Sequence, residues 1–402
     1  MTKFSKQICC LAAALCLLVS AFTACGQSEN ENGNESETES GTDAKLTDFD
    51  YESADLSKYI TLSESEYFNN KVTLGTDYIA SDKMVDEYIA DVLFENKTKT
   101  NEDTKIVDQP IKLGDSAFIY YTGYLDGETF QGGSNADDEK PHELSIGSGS
   151  FIPGFEDGLI GVIPNQTSKD SPFDLNVTFP ESYGSAELAG KAVVFKVWIE
   201  YTVQYTIPEL TDDFVKETLE FDGTASDYKA HVKEQLQAEL TAKAEDEALN
   251  AVMNKLIEKS EVVEYPKQSV DYYYESYIDY YEYYMQLYSM YGYQFDSLEE
   301  FLVTMVGLDK DNWQEQVTDL AKNAVQTSLI CYSIAKNQNI TVTDEEFNAY
   351  VETLIGKNSS EAQQYTADEI IEMYGRQQIN ETLLFDKVNE FLLDNCTIEY
   401  KD

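Results

Sequence analysis

Histidine is scarce in this chain of 402 residues, which contains only His142 and His231. A serine or cysteine catalytic triad would have to use His142, and no nearby residue suggests a partner for it. The acidic cluster at residues 137–139 lacks the spacing of a calcium-binding loop and is more typical of a solvated loop. We therefore expect no metal and no cofactor, and the sequence argues against nucleophilic catalysis.

Cysteine is also rare once the first residues are set aside. The sequence contains six cysteines, and only Cys331 and Cys396 lie beyond position 25. Two cysteines do not make a disulfide framework, although they can form one bridge outside the cell. Neither has a second cysteine or a histidine at metal-ligand spacing. We expect both as free thiols in helical packing.

Basic residues are few. The chain has 28 Lys and Arg against 75 Asp and Glu, which gives a formal net charge of −47. This charge argues against nucleic acid and anionic membrane surfaces as ligands. Solubility alone explains it, and it also favours cationic or unfolded clients.

The start of the chain lacks a comfortable membrane span, because the apolar run at residues 8–21 is shorter than the ~20 residues required. Lys3 and Lys6 precede the run, as in a secretory signal. The following Phe-Thr-Ala-Cys at 22–25 resembles a bacterial lipobox, with Phe where Leu is usual. The resemblance implies a signal peptide at 1–24 and a diacylglycerol anchor on the Cys25 sulfur, outside a bacterial cell membrane. An ordinary secretory peptide with a chance cysteine is the alternative.

A polar tether and a segment of mixed character follow the signal. Residues 25–50 have hardly an apolar side chain and predict a disordered acidic tether. Residues 51–105 contain possible short strands at 59–62 and 71–74, and Ser81 then predicts a helix N-cap. Apolar residues recur on one face of that helix: Met84, Val85, Tyr88, Ile89, Val92 and Leu93. We expect this helix to pack on the C-terminal domain.

The middle of the chain, residues 106–203, predicts strands broken by turns. Residues 117–121 and 192–201 are rich in β-branched and aromatic side chains. Asp126-Gly127 is a signal for a tight turn between strands.

Within this region, the stretch GSGSFIPGFEDGLIG at 147–161 predicts a glycine-rich turn that enters a short helix. Pro153 suits the first helical position. Glu156 and Asp157 suit the positive end of the helix dipole, and Gly161 suits a left-handed helix end. The stretch presents apolar surface and no nucleophile, so a site built from it binds rather than attacks.

Further motifs flank this stretch in a fixed order: Gly114-Asp115, Tyr121-Thr122-Gly123, Val177-Thr178-Phe179-Pro180, Tyr183-Gly184 and Leu188-Ala189-Gly190-Lys191. Together they resemble FKBP-type peptidyl-prolyl isomerases, in the variant carried by trigger factor chaperones. The resemblance implies a catalytic pocket wall of Tyr121, Phe130, Phe151, Ile152, Phe155, Tyr183 and Phe195. It also implies that the Ile152 N–H and the Tyr183 hydroxyl hold the substrate carbonyls. Gln131 and His142 depart from single-domain relatives, which argues against high activity and macrolide affinity.

An apolar pocket of this kind works without a general acid, a metal or a cofactor. Rotation about a peptide bond costs ~18–20 kcal/mol, and unaided Xaa–Pro isomerisation takes roughly tens to hundreds of seconds. The twisted amide has lost conjugation and part of its charge separation, so an apolar pocket favours it relative to water. Complementarity to the twisted state then raises the rate through differential binding. For any single aromatic residue, a place in an ordinary sheet core is the alternative.

Residues 204–402 follow a helical pattern after Pro208. A short helix opens at Thr211, and longer ones are predicted at 226–259, 270–290, 297–306, 311–336, 343–355, 366–374 and 376–394. Thr343, followed by three acids, is a clear helix start. This array resembles the C-terminal chaperone domain of trigger factor. The predicted fold class is therefore α+β, an FKBP-like antiparallel sheet curved around a short helix plus an all-α domain.

One predicted helix carries a stripe of tyrosines that is a candidate client-binding surface: Tyr273, Tyr277, Tyr280, Tyr284 and Tyr288. Tyrosine offers apolar area with a polar tip, and the neighbouring Met285 and Met290 adapt their shape. A plain core seam between helices explains the pattern equally well.

The departure from trigger factors lies at the N-terminus. Those proteins begin with a ribosome-docking domain bearing a Gly-Phe-Arg-x-Gly-Lys loop, and no such loop occurs here, so we expect no ribosome role. The predicted function is an exported folding factor that isomerises Xaa–Pro bonds and holds unfolded or newly exported polypeptides. The alternatives are a non-catalytic chaperone and a surface-binding lipoprotein that reuses the fold.

Overall fold

The computed structural model describes residues 49–100, 104–359 and 364–401. The predicted signal, the anchor at Cys25 and almost all of the tether lie outside the described residues. No helix in the described ranges is both long and apolar enough to span a membrane. The chain divides into two compact units, which we call the sheet unit (Ala80–Ala238) and the helical unit (Met1–Ile79 with Glu239–Asp402).

Both units contain helices and strands. The helices are α1 (Asp82–Glu95), α2 (Phe155–Leu159), α3 (Asp212–Glu217), α4 (Ala225–Lys259), α5 (Lys267–Met290), α6 (Leu298–Phe301), α7 (Trp313–Gln338), α8 (Asp344–Asn358), α9 (Ala367–Tyr374) and α10 (Arg376–Asp394). The strands are β1 (Ile60–Thr61), β2 (Asn70–Leu74), β3 (Thr98–Lys99), β4 (Ser116–Leu125), β5 (Glu128–Ser134), β6 (His142–Ser145), β7 (Phe173–Thr178), β8 (Ala192–Val203), β9 (Tyr205–Thr206), β10 (Glu261–Val262) and β11 (Cys396–Tyr400). A π-helical turn, Leu302–Val306, continues from α6.

The sheet unit is built around a five-stranded antiparallel sheet of order β5-β4-β8-β7, with β6 paired to the first part of β4. The hairpin between β4 and β5 turns at Asp126 and Gly127, whose φ angles are +52° and +91°, as the sequence predicted. Side chains of β8 alternate between buried and half-buried because successive residues point to opposite faces. Helix α2 packs on the buried face through Phe155 and Leu159, both 0% exposed. This is the predicted sheet curved around one short helix.

Helix α1 begins as predicted, since the Ser81 hydroxyl accepts a hydrogen bond from the Met84 N–H at 3.3 Å. Its buried face, Val85 and Ile89, packs on Val232 of α4. Helix α4 starts at Ala225, one residue before the predicted position, and its first part belongs to the sheet unit.

Contacts divide the predicted N-terminal segment 51–105 between the two units. Its residues up to Ile79 belong to the helical unit, and those from Ala80 onward belong to the sheet unit. Likewise, residues 204–238 of the predicted helical domain belong to the sheet unit. The predicted boundaries followed composition, whereas packing groups segments that are distant in sequence.

The helical unit is packed around α7, whose buried side chains run from Val317 to Ala335. Helices α5 and α10, the end of α4 and the first described residues surround it. The Tyr51 ring stacks on Tyr332, with ring centroids 4.7 Å apart and 6° between the planes. The described part of this unit is not purely helical, because β11 pairs in parallel with β2. Cys331 and Cys396 are free thiols. Cys331 is buried in α7, as expected, whereas Cys396 begins strand β11, so the expectation of helical packing is wrong for Cys396.

Candidate active site

Aromatic rings from separate elements meet where α2 covers the sheet. The Tyr121 ring of β4 lies 5.4 Å from Phe151, 6.0 Å from Phe155 and 5.9 Å from Phe195, in each case edge-on. Phe155 of α2 is in turn 5.1 Å from Phe195 of β8. Edge-to-face pairs at these separations are favourable arrangements for aromatic rings.

The remaining predicted rings join the same set. Phe130 of β5 lies 5.9 Å from Phe195 and 5.9 Å from Phe179, and Phe179 lies 4.5 Å from Tyr183. The six aromatic residues predicted for the pocket are thereby linked with Phe179 into one network of ring contacts. Phe179 belongs to a motif that the sequence analysis quoted but did not assign to the pocket.

The network has a buried side, which we call the floor, and a solvent-exposed edge, which we call the rim. Phe155, Phe179 and Phe195 are 0%, 3% and 5% exposed, whereas Tyr183 is 41% exposed. Burial, with a smaller contribution from the charge of Asp138, raises the pKa of the Tyr121 phenol. The phenol therefore stays neutral at ordinary pH and offers no general base.

Ile152 stands at this rim, in the turn that leads into α2, and is half-buried. Its carbonyl accepts a hydrogen bond from the Phe155 N–H at 3.0 Å. Its own N–H makes no hydrogen bond with any residue that the structure describes. This donor is therefore available to an incoming carbonyl.

The start of α2 differs from the prediction. The helix begins at Phe155 after Gly154, which has φ +86°, so Pro153 precedes the helix instead of taking its first position. The φ of residue 154 strongly favours glycine, and it sets the direction in which the helix leaves the loop. Gly161 adopts the expected left-handed conformation with φ +89°.

A buried carboxylate fixes the loop that carries the pocket residues. Glu156 is 6% exposed and accepts hydrogen bonds from the N–H groups of Gly147 at 2.7 Å, Gly149 at 3.1 Å and Phe151 at 3.1 Å. The Ser148 hydroxyl also donates to it at 3.3 Å. The sequence analysis gave Glu156 only a role at the helix dipole. The loop contacts were missed because they depend on how residues 147–151 fold back over the helix.

Two further features support the pocket wall. A Cβ at Gly123 would lie 2.6 Å from the Phe130 ring, so only glycine leaves room for that ring. Asn135 is buried, accepts from the Tyr121 N–H at 2.7 Å and donates to the Ile119 carbonyl at 3.1 Å. Asn135 thereby holds the loop after β5 against β4, and nothing in the local sequence pattern indicated it.

The two departures from the family pattern lie in different places. The ring of His142 is 5.4 Å from Phe151, at the edge of the aromatic network. Gln131 is exposed. Within the described ranges, no group of three His, Cys, Asp or Glu side chains is arranged to hold a metal.

The tyrosine stripe on α5 is split by burial. Tyr273 and Tyr277 are 3% and 5% exposed, and the Tyr273 hydroxyl lies 2.8 Å from the Ser328 hydroxyl in the core. The client-binding prediction is therefore wrong for these two residues, which face α7. Tyr280, Tyr284 and Tyr288 are half-buried.

Comparisons with known proteins agree with this architecture. The protein-family model for the bacterial trigger factor C-terminus matches residues 224–394. The family model for FKBP-type peptidyl-prolyl cis-trans isomerases matches residues 107–205. Trigger factor of Thermoanaerobacter sp. (strain X514) is 32% identical over 321 residues, 78% of this chain and 69% of the relative. That of Acetivibrio thermocellus is 32% identical over 314 residues, 77% of this chain and 68% of the relative.

A solved structure of the trigger factor chaperone aligns with 83% of this chain and 72% of its own, at a TM-score of 0.41 and 15% identity. The two sequence relatives each align with more than three quarters of this chain. The chain therefore belongs to the trigger factor family, and it is a protein-folding chaperone and FKBP-type peptidyl-prolyl isomerase that binds unfolded polypeptides.

Proposed function

We propose that this chain is an exported, lipid-anchored folding factor, which isomerises Xaa–Pro bonds at the aromatic network and holds clients with its helical unit. The observation that supports the catalytic part is the continuous ring network with the unpaired Ile152 N–H at its rim. Such a site combines an apolar floor with one fixed donor.

In the proposed mechanism, the substrate prolyl ring sits on Phe155 and Phe195. The Ile152 N–H and the Tyr183 hydroxyl hold the carbonyls on either side of the rotating bond. The apolar wall disfavours the charge separation of the planar amide, so the twisted state is stabilised relative to the ground state. No proton is transferred. Glu156 contributes by fixing the loop that presents Phe151 and Ile152.

A protease-coupled isomerisation assay on the full chain tests this mechanism. Tyr183→Phe keeps the ring on Phe179 and removes one hydrogen bond, so we expect about a threefold to tenfold lower kcat/KM. Tyr120→Phe is the matched control, because Tyr120 points to the other face of β4 and stacks on Trp198 at 5.2 Å. Absence of any acceleration by the wild-type chain would leave a non-catalytic chaperone as the better description.

Export and anchoring are proposed from the sequence alone. The supporting observation is Cys25, which follows an apolar run and precedes a polar tether. Cys25→Ala should move the protein from the membrane fraction to the soluble fraction, and mass spectrometry should find lipid on the wild-type N-terminus. Unchanged retention together with an unmodified N-terminus would contradict the anchor.

A chain anchored outside the cell would not meet ribosomes. We propose that it has no ribosome role, which the missing Gly-Phe-Arg-x-Gly-Lys loop supports. Co-sedimentation with purified ribosomes is the direct test, and binding that survives physiological salt would contradict this proposal.

The proposed client surface is the outer end of α5 and the loop after it. Tyr280, Tyr284 and Tyr288 continue there into Met290, Tyr291 and Tyr293, which are 84%, 78% and 54% exposed. Exposed apolar groups in one place are typical of an interaction site. Replacement of Met290 and Tyr291 by Ser should weaken the suppression of aggregation of a proline-free unfolded client. If neither wild type nor variant slows aggregation, the surface-binding lipoprotein becomes the better description.

A further inference from the structure

The helical unit contains a cavity of about 1130 Å³ that shares no residue with the prolyl pocket. Residues 49–52, the end of α7, the connection from α7 to α8 and the start of α10 line it. Pockets for small ligands commonly measure ~300–1,000 Å³. The cavity therefore has room for an elongated ligand.

One carboxylate oxygen among the residues that line this cavity lacks a hydrogen-bond partner. The Oε1 atom of Glu381, on α10, is buried and makes no hydrogen bond with any residue in the described ranges. Burial raises the pKa of Glu381 to about 7, and a hydrogen bond from the Tyr332 hydroxyl to this carboxylate opposes that rise. A buried carboxylate with one oxygen unpaired is poorly compensated, so a ligand that supplies a positively charged donor would stabilise it.

The neighbours of Glu381 add ring faces and negative charge. Tyr51 and Tyr332 stack at 4.7 Å, and Phe49 meets Tyr51 edge-on at 4.7 Å. After burial, the charges of Glu381 and Glu52 are the next causes that raise the pKa of the Tyr332 phenol. The two carboxylates therefore act on the Tyr332 ring. A carboxylate next to aromatic faces is the chemistry that recognises organic cations.

Two basic residues also line the cavity, and the charge of Lys336 contributes to lowering the pKa of Asp50. The Lys336 ammonium donates to the Ala54 carbonyl at 2.6 Å. Arg376, which the sequence shows to be the single arginine of the chain, lies 4.1 Å above the Phe347 ring. No ion pair among the described residues joins either of them to Glu381. The charged and titratable groups that face the cavity are Asp50, Tyr51, Glu52, Tyr332, Lys336, Arg376 and Glu381.

We propose that this cavity binds an organic cation, a primary ammonium or guanidinium group on an alkyl stem, with the Glu381 carboxylate as its acceptor. The rings of Tyr51 and Tyr332 border the stem. Two sources carry this chemistry, a free polyamine and the lysine or arginine side chain of a polypeptide. The site does not require isomerase activity.

Calorimetric titration of the full chain at about pH 8, where Glu381 is ionised, tests the site. The small probes are cadaverine and the neutral pentanediol of the same length. The peptide probes are an unstructured peptide with one lysine and the same peptide with norleucine at that position. At least one charged probe should bind better than its neutral partner. Glu381→Gln keeps the shape and should weaken the charged probe about tenfold or more, because it removes a charge-assisted hydrogen bond.

Glu390→Gln is the matched control, since Glu390 is exposed on the same helix and does not line the cavity. It should leave affinity unchanged. If cadaverine binds and Glu381→Gln weakens that binding, a free amine is a ligand. If only the lysine peptide binds and the variant weakens it, the ligand is a polypeptide side chain. Equal affinity for charged and neutral probes, an unchanged affinity of a folded Glu381→Gln variant, or no binding of either charged probe would each overturn the proposal. Aggregation suppression by the same variants shows separately whether client holding persists.

Discussion

Glu156 in the sheet unit and Glu381 in the helical unit both withdraw a carboxylate from solvent, yet their surroundings are opposite. Glu156 accepts three backbone N–H groups from one loop. The Oε1 atom of Glu381 accepts none from the described residues. A buried acceptor with its donors in place fixes structure, whereas one without them raises the free energy of the folded state.

The comparison separates two uses of the same side chain. In the sheet unit the carboxylate completes the pocket, because the loop that it holds carries Phe151 and leads to Ile152. In the helical unit the carboxylate is held in a cavity wide enough for a ligand. The first should be costly to remove, and the second should be beneficial to remove when no ligand is present.

Each unit has its own fluorescent reporter, which makes this comparison measurable. The two tryptophans of the chain are Trp198 in β8 and Trp313 in α7. Trp313→Phe therefore leaves a reporter of the sheet unit, and Trp198→Phe leaves a reporter of the helical unit.

The largest expected effect comes from Glu156→Ala. The substitution leaves three N–H groups of the loop without an acceptor, so we expect the sheet unit to lose about 3–5 kcal/mol of unfolding free energy. Isomerase activity should fall with it because Ile152 is no longer held. Urea unfolding followed by Trp198 fluorescence measures the change. Asp157→Ala, exposed in the same turn, should cost under about 0.5 kcal/mol. Equal losses in the two variants would contradict the role of Glu156.

Glu381→Gln should have the opposite sign. The folded pKa of Glu381 is about 7 against an ordinary 4.5, so its contribution to stability is fully present below pH 4.5 and is lost as the pH rises through about 7. At about pH 8 the ionised group costs the helical unit about 3 kcal/mol. We expect Glu381→Gln to restore about that amount at pH 8 and to change little near pH 4.5. Urea unfolding with Trp313 as reporter measures it, and a variant that is less stable at pH 8 would break the comparison.

The smallest effect is expected from Tyr332→Phe. The Tyr332 hydroxyl lowers the pKa of Glu381, so its removal should raise that pKa further above its ordinary value. The gain in unfolding free energy that Glu381→Gln gives to the helical unit rises with pH. The midpoint of this rise should move to higher pH in the Tyr332→Phe background. A midpoint that stays in place or moves downward would show that the hydroxyl does not act on this carboxylate.

Local features of the structure follow from the sequence by itself. Ser81 and Thr343 cap their helices as predicted, because a side-chain oxygen reaches an N–H only three residues away. Helix α10 has the predicted bounds of residues 376–394. The ordered motifs named the aromatic residues that the structure brings into one network, since each motif fixes the strand or turn that carries a ring. The sequence therefore determined the fold class, most of the helices and strands, and the rings of the network other than Phe179.

Features that depend on distant contacts were decided by the tertiary structure. Strand β11, near the end of the sequence, pairs with the distant strand β2, and Cys396 lies opposite Asn70. No local pattern marks β11 as a strand. A tyrosine every three or four residues specifies one helix face. Tyr273 and Tyr277 are buried because α7 packs on that face, whereas Met290 is exposed. The two glutamates differ for the same reason. A carboxylate is satisfied or left unpaired by whichever groups the fold brings to it, and those groups are not its sequence neighbours.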